Sequence, residues 1–179
     1  MKKTMNIAAI ILLLLLTAAC GGGLPAGYTT LAPKDAVELA IAWNDMESLV
    51  QAGGLYKEGE YKTFVHKGIE YRYLAFHLDS KKKLRTELQM FVTKKKAKRF
   101  MKENGIMKHE RKLASPETEA APDSLLQWDI ATAREVKSKK GKMTFELNIP
   151  IGDTRTAERI LVSYVHVKKA GWRIDKYDE

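Results

Sequence analysis

The side chain with the most distinctive chemistry is the lone cysteine of this 179-residue chain, Cys20, which lies in the sequence LTAACG at 16–21. Lys2 and Lys3 give the chain a positive start, and residues 7–16 form an apolar run. A charged start, a short apolar stretch and small residues before a cleavage point are typical of a secretory signal. The sequence around Cys20 resembles a lipobox, in which the cysteine thiol is acylated after the signal has been removed.

We therefore expect residues 1–19 to be a lipoprotein signal peptide. Residues 20–33 would be the lipidated Cys20 with a flexible tether, and residues 34–179 would be one folded domain. This predicts an extracytoplasmic lipoprotein, held to the outer face of the cell membrane by diacylglycerol and palmitate. Two acyl chains make such an attachment stable. Ordinary secretion with a free Cys20 is the alternative.

The residue types needed for catalysis are present but not arranged for it. The four histidines show no metal-ligand spacing and no helical zinc motif; they are His66, His77, His109 and His166. No serine lies in a nucleophile elbow, and an acylated Cys20 leaves no free thiol. The sequence accordingly predicts a protein that is not an enzyme and that has neither a metal site nor a cofactor.

Three runs of basic residues stand out: 81–83, 94–99 and 137–142. Such runs on helices are usually solvated faces. They could also attract anionic lipids or anionic wall polymers, since the net charge is +9 and falls to +7 when Lys2 and Lys3 are removed. This supports an alternative function, a non-catalytic envelope lipoprotein that binds wall polymer or a protein partner through basic faces. Nucleic acid is not an expected partner outside the cell.

Helical periodicity dominates the first part of the domain. Apolar residues recur at steps of three and four from Ala36 to Val50, after Pro33 and before Gly53-Gly54. Strands are predicted at 61–66 and 69–76. Two further helices follow, with N-caps at Ser80 and Thr93.

The remainder of the chain alternates in steps of two, which is typical of strands. Alternation predicts strands at 126–130 and 143–149, an apolar central strand at 160–167 and a last strand at 172–177. The fold class predicted is therefore α+β, with an N-terminal helix and helical segments packed on an antiparallel β-sheet.

From the first helix to the C-terminus, the chain resembles the DL-endopeptidase inhibitor (IseA) family of Gram-positive bacteria. The residues that carry the resemblance occur in the family's order and with similar spacing: Ala36-Val37-x-Leu39-Ala40, Tyr71-x-Tyr73, Lys112-Leu113-Ala114-x-Pro116, Leu125-Leu126-x-Trp128, Ser138-Lys139-Lys140-Gly141, Thr144-Phe145-Glu146, Pro150, Trp172 and Tyr177-Asp178. The resemblance implies a non-catalytic inhibitor of papain-like cell-wall DL-endopeptidases, autolysins that cut peptidoglycan stem peptides with a Cys-His pair. The expected acylation of Cys20 would make this inhibitor membrane-tethered, unlike the freely secreted members of the family. It also implies a protruding loop that occupies the active-site cleft of the target.

By position, that inhibitory loop corresponds here to residues 114–124. Its expected contact residues are Ser115, Pro116, Glu117, Thr118, Glu119, Asp123 and Ser124. The segment has no large apolar side chain, and its three acids make it an acidic island in a basic protein. Pro116 and Pro122 restrict the backbone at both ends, which would lower the entropy lost on docking. An exposed polar connection without a role is the alternative.

Trp128 follows the loop in the predicted strand at 126–130. Core packing is one interpretation of this residue. An exposed indole beside the loop would instead be an interface anchor for the target. The solvent exposure of Trp128 distinguishes the two.

Overall fold

The computed structural model describes residues 30–117 and 125–178. The signal peptide, Cys20 and most of the tether therefore lie outside the described residues, as do residues 118–124 of the predicted loop. The described residues form three α-helices and two four-stranded antiparallel sheets. The predicted α+β class is confirmed, with two sheets rather than one.

The elements follow one another along the chain in this order: α1 Pro33–Gln51, β1 Thr63–His66, β2 Ile69–Tyr73, α2 Lys81–Leu88, α3 Lys94–Glu103, β3 Met107–His109, β4 Lys112–Pro116, a 3-10 helix Trp128–Ile130, β5 Thr132–Lys139, β6 Lys142–Pro150, β7 Ala157–Val167 and β8 Gly171–Asp178. The first sheet has the strand order β1-β2-β4-β3. The second is a meander with the order β5-β6-β7-β8.

Helix α1 begins and ends as its sequence predicts. Pro33 is its first residue, where a missing N–H costs no hydrogen bond. Its apolar face is buried from Ala36 to Val50, and Trp43 at its middle is fully buried. The chain leaves the helix through Gly53, whose φ of 87° is a left-handed conformation that glycine adopts without strain.

Helices α2 and α3 have the predicted N-caps. Ser80 Oγ accepts a hydrogen bond from Lys83 N, and Thr93 Oγ1 accepts one from Lys96 N, both at 3.3 Å. Thr93 Oγ1 also donates to Asp175 Oδ1 at 2.9 Å. This second bond ties the start of α3 to strand β8 and so joins the helical part of the domain to the second sheet.

One lysine of the basic runs is not part of a solvated face. Lys96 is only 8% exposed, and its Nζ lies 4.4 Å from the centre of the Tyr177 ring and 5.3 Å from that of Trp43. Burial lowers the pKa of Lys96, while the nearby carboxylate of Glu47 acts in the opposite direction. The cation is held between two aromatic faces, so the expectation of a solvated position is wrong for this residue.

The second sheet supplies much of the core. In β6 the odd positions from Met143 to Ile149 are buried and the intervening positions are not, as predicted. Strand β7 is central, as predicted, but its two faces are unequal. Val162 and Tyr164 are buried on the inner face, where Tyr164 Oη donates to Ala36 O at 2.7 Å.

Several sequence-based assignments of strands differ from the structure. The strands predicted at 61–66 and 69–76 are shorter, at 63–66 and 69–73. The predicted strand at 126–130 is a 3-10 helix at Trp128–Ile130, preceded by a single bridge between Leu126 and Ile151. Three alternating apolar residues are too short a pattern to specify a strand. The segment instead contacts the chain next to the end of β6 through that single bridge. Strand β3 was missed because it is only three residues long. Strand β4 continues through Pro116 and so takes up the first three residues of the predicted loop, 114–116.

Candidate functional site

The predicted loop starts from a base held by three contacts, all made by Glu117. Its backbone N–H donates to Glu70 O at 2.8 Å, which extends the pairing of β4 with β2 by one residue. Its carboxylate Oε2 lies 3.0 Å from Arg72 Nε. Tyr61 Oη donates to the other carboxylate oxygen, Oε1, at 3.1 Å. The start of the loop is therefore fixed in both backbone and side chain.

The strand register explains why these groups meet. Ser115 pairs with Arg72 and Pro116 pairs with Tyr71, so Glu117 leaves β4 beside the strand that carries Arg72. The Arg72 side chain is 11% exposed and that of Glu117 is 30% exposed. An ion pair this far removed from water is screened less than a surface pair. The pair therefore contributes more to holding the loop base than an exposed pair would.

The other end of the predicted loop is fixed by backbone hydrogen bonds alone. Leu125 O accepts from Gly152 N at 2.7 Å, and Gln127 N donates to Pro150 O at 2.8 Å. Both partners lie at the end of β6 in the second sheet. Residues 118–124 thus connect an end fixed to the first sheet with an end fixed to the second sheet.

Beside the loop base, the first sheet carries an aromatic cluster on the face opposite Arg72. The Phe64 ring stacks on the His109 ring with centres 3.9 Å apart, and on the Tyr71 ring at 5.6 Å. Tyr73 Oη is 2.6 Å from His109 Nδ1 and donates to Glu110 at 3.0 Å. The His109 side chain is therefore already stacked and hydrogen-bonded within this cluster. Tyr71, another member of the cluster, pairs across the sheet with Pro116.

Two tyrosines near the base remain protonated donors at neutral pH. Burial, outweighing the nearby positive charge of Arg72, raises the pKa of Tyr56 to about 12, and Tyr56 Oη donates to Tyr73 O at 2.7 Å. Desolvation and then the hydrogen bond to Glu117 raise the pKa of Tyr61. A protonated Tyr61 is the state required to donate to the Glu117 carboxylate, so this contact persists across the physiological pH range.

The predicted site residues fall into two groups. Cys20, Thr118, Glu119, Asp123 and Ser124 lie outside the described residues. The other predicted residues are described and occupy defined positions in the folded body.

Ser115 and Pro116, expected in the loop, are residues of strand β4, and Ser115 is 5% exposed. Their position follows from pairing with β2, which the sequence pattern did not reveal. Glu117 is described, and its carboxylate is engaged by Arg72 and Tyr61. Trp128 is partly buried and packs against the core, which favours the core-packing interpretation.

Arg72 and Tyr61 were not predicted as part of the site. Arg72 is 45 residues from Glu117 in the sequence and Tyr61 is 56 residues from it, so local patterns could not pair them. One signal was available. Arg72 stands between Tyr71 and Tyr73 in a strand, and alternation places an arginine in that position on the face opposite the two tyrosines.

Across the two described ranges, no group of three or more histidine, cysteine, aspartate or glutamate side chains is placed to hold a metal ion. Within the same ranges, no helix has the length and apolar character required to cross a membrane.

Comparison with known proteins identifies the family of this chain. The family model described as IseA DL-endopeptidase inhibitor matches residues 27–179, which include both fixed ends of the segment 118–124. The Bacillus subtilis (strain 168) protein named "Uncharacterized protein YoeB" is 26% identical over 160 residues. That alignment covers 83% of this chain and 82% of the relative.

Proposed function

Because the chain belongs to the IseA DL-endopeptidase inhibitor family, we propose that it blocks peptidoglycan DL-endopeptidases by placing residues 118–124 in their active-site cleft. The observation that carries this proposal is the fixing of both ends of that segment. One end is held on the first sheet by Glu117 and the other on the second sheet by Leu125 and Gln127. A segment whose ends are fixed loses less conformational entropy on binding than a free one.

The chemistry of the segment suits the cleft of a papain-like DL-endopeptidase. Such a cleft receives the free carboxylate of D-glutamate and contains a histidine that can carry positive charge. Glu119 and Asp123 supply carboxylates in the segment, and Pro122 restricts its backbone. Ordinary α-peptide bonds differ from the γ-linkage that these enzymes cut, so the segment would occupy the cleft without being turned over. The protein itself acts as an inhibitor and not as an enzyme.

Glu117 takes a different role from the one expected from sequence. Its carboxylate lies 3.0 Å from Arg72 and accepts a hydrogen bond from Tyr61. A carboxylate engaged in this way would have to lose both contacts before binding a target. We assign Glu117 to positioning the segment, and Glu119 and Asp123 to contacting the enzyme.

The location of the inhibitor is a second part of the proposal. Acylation of Cys20 would hold the domain at the outer face of the membrane. Leu31 is buried in the core and Pro33 begins α1, so the tether is shorter than expected from sequence: residues 21–30 would reach at most about 35 Å. Inhibition would then be confined to enzymes working at the membrane side of the wall. Mass spectrometry of the N-terminal peptide should show a diacylglyceryl group on Cys20. A Cys20→Ser variant should appear in the medium, and an unmodified, cell-bound Cys20 would contradict the anchor.

The inhibition is tested with a purified papain-like DL-endopeptidase and isolated peptidoglycan. We expect the chain to stop release of stem-peptide fragments at near-stoichiometric amounts. The matched control replaces residues 118–124 by seven alternating glycine and serine residues, which keeps the length and removes the acids. Equal inhibition by both forms would reject the segment as the inhibitory element. Unchanged hydrolysis over several such enzymes would reject inhibition altogether.

A further inference from the structure

A β-bulge in β5 determines which face of the second sheet carries the lysines of the run 137–142. The register shifts between Glu135, which pairs with Phe145, and Lys137, which pairs with Thr144. Phe145 is fully buried on the inner face, so Thr144 belongs to the outer face. A regular strand without the extra residue would turn Lys137 towards the inner face. The bulge thus brings Lys137 to the outer face.

The same shift brings a second lysine to that face. Lys139 is two residues beyond Lys137 and pairs directly with Lys142 of β6. The outer face therefore carries three lysines in two neighbouring rows of cross-strand partners. The two rows are about 7 Å apart along the strands. Lys176 lies on the opposite edge strand in the row of Lys137, three strand spacings or about 14 Å away.

These lysines border a groove of about 520 Å³ whose floor lies on the two central strands. We call this groove the lysine groove; its floor includes Thr144, Leu161, Ser163 and Val165, and Lys137, Lys139 and Lys142 are among its lining residues. Thr144 and Ser163 are hydrogen-bonded to each other through their hydroxyls at 3.1 Å. The floor is half-buried, while the three lysines are exposed.

The charges in the lysine groove are not balanced within the described residues. No carboxylate there lies within ion-pair distance of Lys137, Lys139 or Lys142. Glu146 at this face pairs with Arg134 at 3.2 Å, and Asp175, which also lines the groove, accepts a hydrogen bond from the Thr93 hydroxyl at 2.9 Å, so one carboxylate faces four lining lysines. Like charges placed directly across two strands, such as Lys139 and Lys142, repel each other. A bound polyanion would relieve that repulsion.

We propose that the lysine groove binds a linear polymer with phosphodiester groups, independently of the proposed inhibition. Lysine is a common point-charge partner of phosphate. A narrow, flexible chain can enter a groove and contact a half-buried floor between exposed cations. A flat membrane surface would contact only the exposed lysine tips. The geometry therefore favours an extended phosphate-bearing chain as the occupant.

The test titrates the full chain, kept in non-ionic detergent, with purified poly(glycerol phosphate) at several salt concentrations. In K137Q/K139Q/K142Q we expect affinity to fall at least about tenfold. Affinity falls as salt rises, and the loss of three cation contacts should make this dependence less steep. The slope of log affinity against log salt should become about 2 less negative. The matched control K81Q/K94Q/K95Q changes the net charge equally on the exposed surfaces of α2 and α3 and should stay within about twofold of the parent.

A third variant distinguishes polymer from membrane. Thr144→Tyr fills the groove floor without changing charge and should weaken polymer binding as strongly as the lysine variant does. Micelles doped with phosphatidylglycerol serve as the membrane probe. The proposal is overturned if poly(glycerol phosphate) does not bind or if the control variant loses as much affinity. It is also overturned if the micelles bind the lysine groove while Thr144→Tyr has no effect. Inhibition of the endopeptidase should be equal in the parent and in all three variants.

Discussion

The two sheets of this protein differ in how they are built. The second sheet has strands of 8 to 11 residues, and its inner face is fully buried at Phe145, Leu147 and Tyr164. The first sheet has strands of 3 to 5 residues, and β1 has no buried position. Of its four strands only β4 is mostly buried, and many of its side-chain contacts are polar or aromatic. The second sheet is therefore the stable frame, and the first sheet holds the start of the candidate inhibitory segment.

This difference teaches that stability and function are separable here. Glu117, before the segment 118–124, is fixed to the first sheet by side-chain contacts, and Leu125, after it, is fixed by a backbone contact next to the end of β6 in the second sheet. Substitutions in the frame should alter unfolding far more than inhibition. Substitutions at the segment should do the reverse. The four predictions below are ordered by their expected effect on the free energy of unfolding.

The largest effect is expected from Phe145→Ala in the second sheet. Phe145 is fully buried and packs edge-to-face on Tyr164, so truncation leaves a cavity in the core. We expect a loss of about 3–5 kcal/mol. Phe64→Ala in the first sheet is the matched comparison, and its half-buried ring should cost less than half as much. Denaturant unfolding of both variants measures the two losses of unfolding free energy. Equal losses would show that the second sheet is not the more stable of the two.

Arg72→Ala should have an intermediate effect on stability and a strong effect on inhibition. Truncation leaves the partly buried Glu117 carboxylate without its cation, at a cost of about 1–3 kcal/mol. Inhibition should weaken because the segment loses its fixed exit. Arg134→Ala is the control, since it removes an exposed pair with Glu146 worth about 0–1 kcal/mol. Undiminished inhibition by Arg72→Ala would show that the ion pair does not position the segment.

Thr93→Ala should destabilise the protein by about 1 kcal/mol through loss of an N-cap. The hydroxyl also bonds to Asp175, so α3 would be held less firmly against β8. This contact is made with the second sheet, at Asp175 of β8. Thermal unfolding should therefore shift downward while the inhibition constant stays within about twofold. A large loss of inhibition would extend the functional surface to α3.

The smallest effect on unfolding, and the largest on inhibition, is expected from E119Q/D123N. Neutralising both acids removes two charge-assisted contacts with the target, each worth about 1.5–3 kcal/mol. Inhibition should fall at least about 100-fold while the thermal midpoint stays within about 1 °C. A large drop in the midpoint would assign these acids to the fold instead.

The sequence was informative wherever structure is decided locally. It predicted α1 from Pro33 to the glycines at 53 and 54, the caps at Ser80 and Thr93, and the alternation of β6. Periodicity and capping are local properties, so these features could be read directly. The division of the strands into two sheets depends on long-range pairing, which no local pattern encodes.

The candidate site could be predicted from the sequence only in part, for the same reason. Composition and family resemblance located the acidic segment, but β4 absorbs Ser115 and Pro116 through pairing with β2. The contact between Arg72 and Glu117 joins residues far apart in the chain. Lys96 was assigned to a solvated run because its two aromatic neighbours, Trp43 and Tyr177, lie on distant elements.

The most direct test of the proposed inhibition is whether the segment physically covers the catalytic cysteine of the target. The rate of alkylation of that cysteine by iodoacetamide is measured with and without the inhibitor. The intact chain should slow alkylation in proportion to inhibition, and the chain with glycine and serine at 118–124 should not. Full inhibition with an unchanged alkylation rate would contradict obstruction of the cleft.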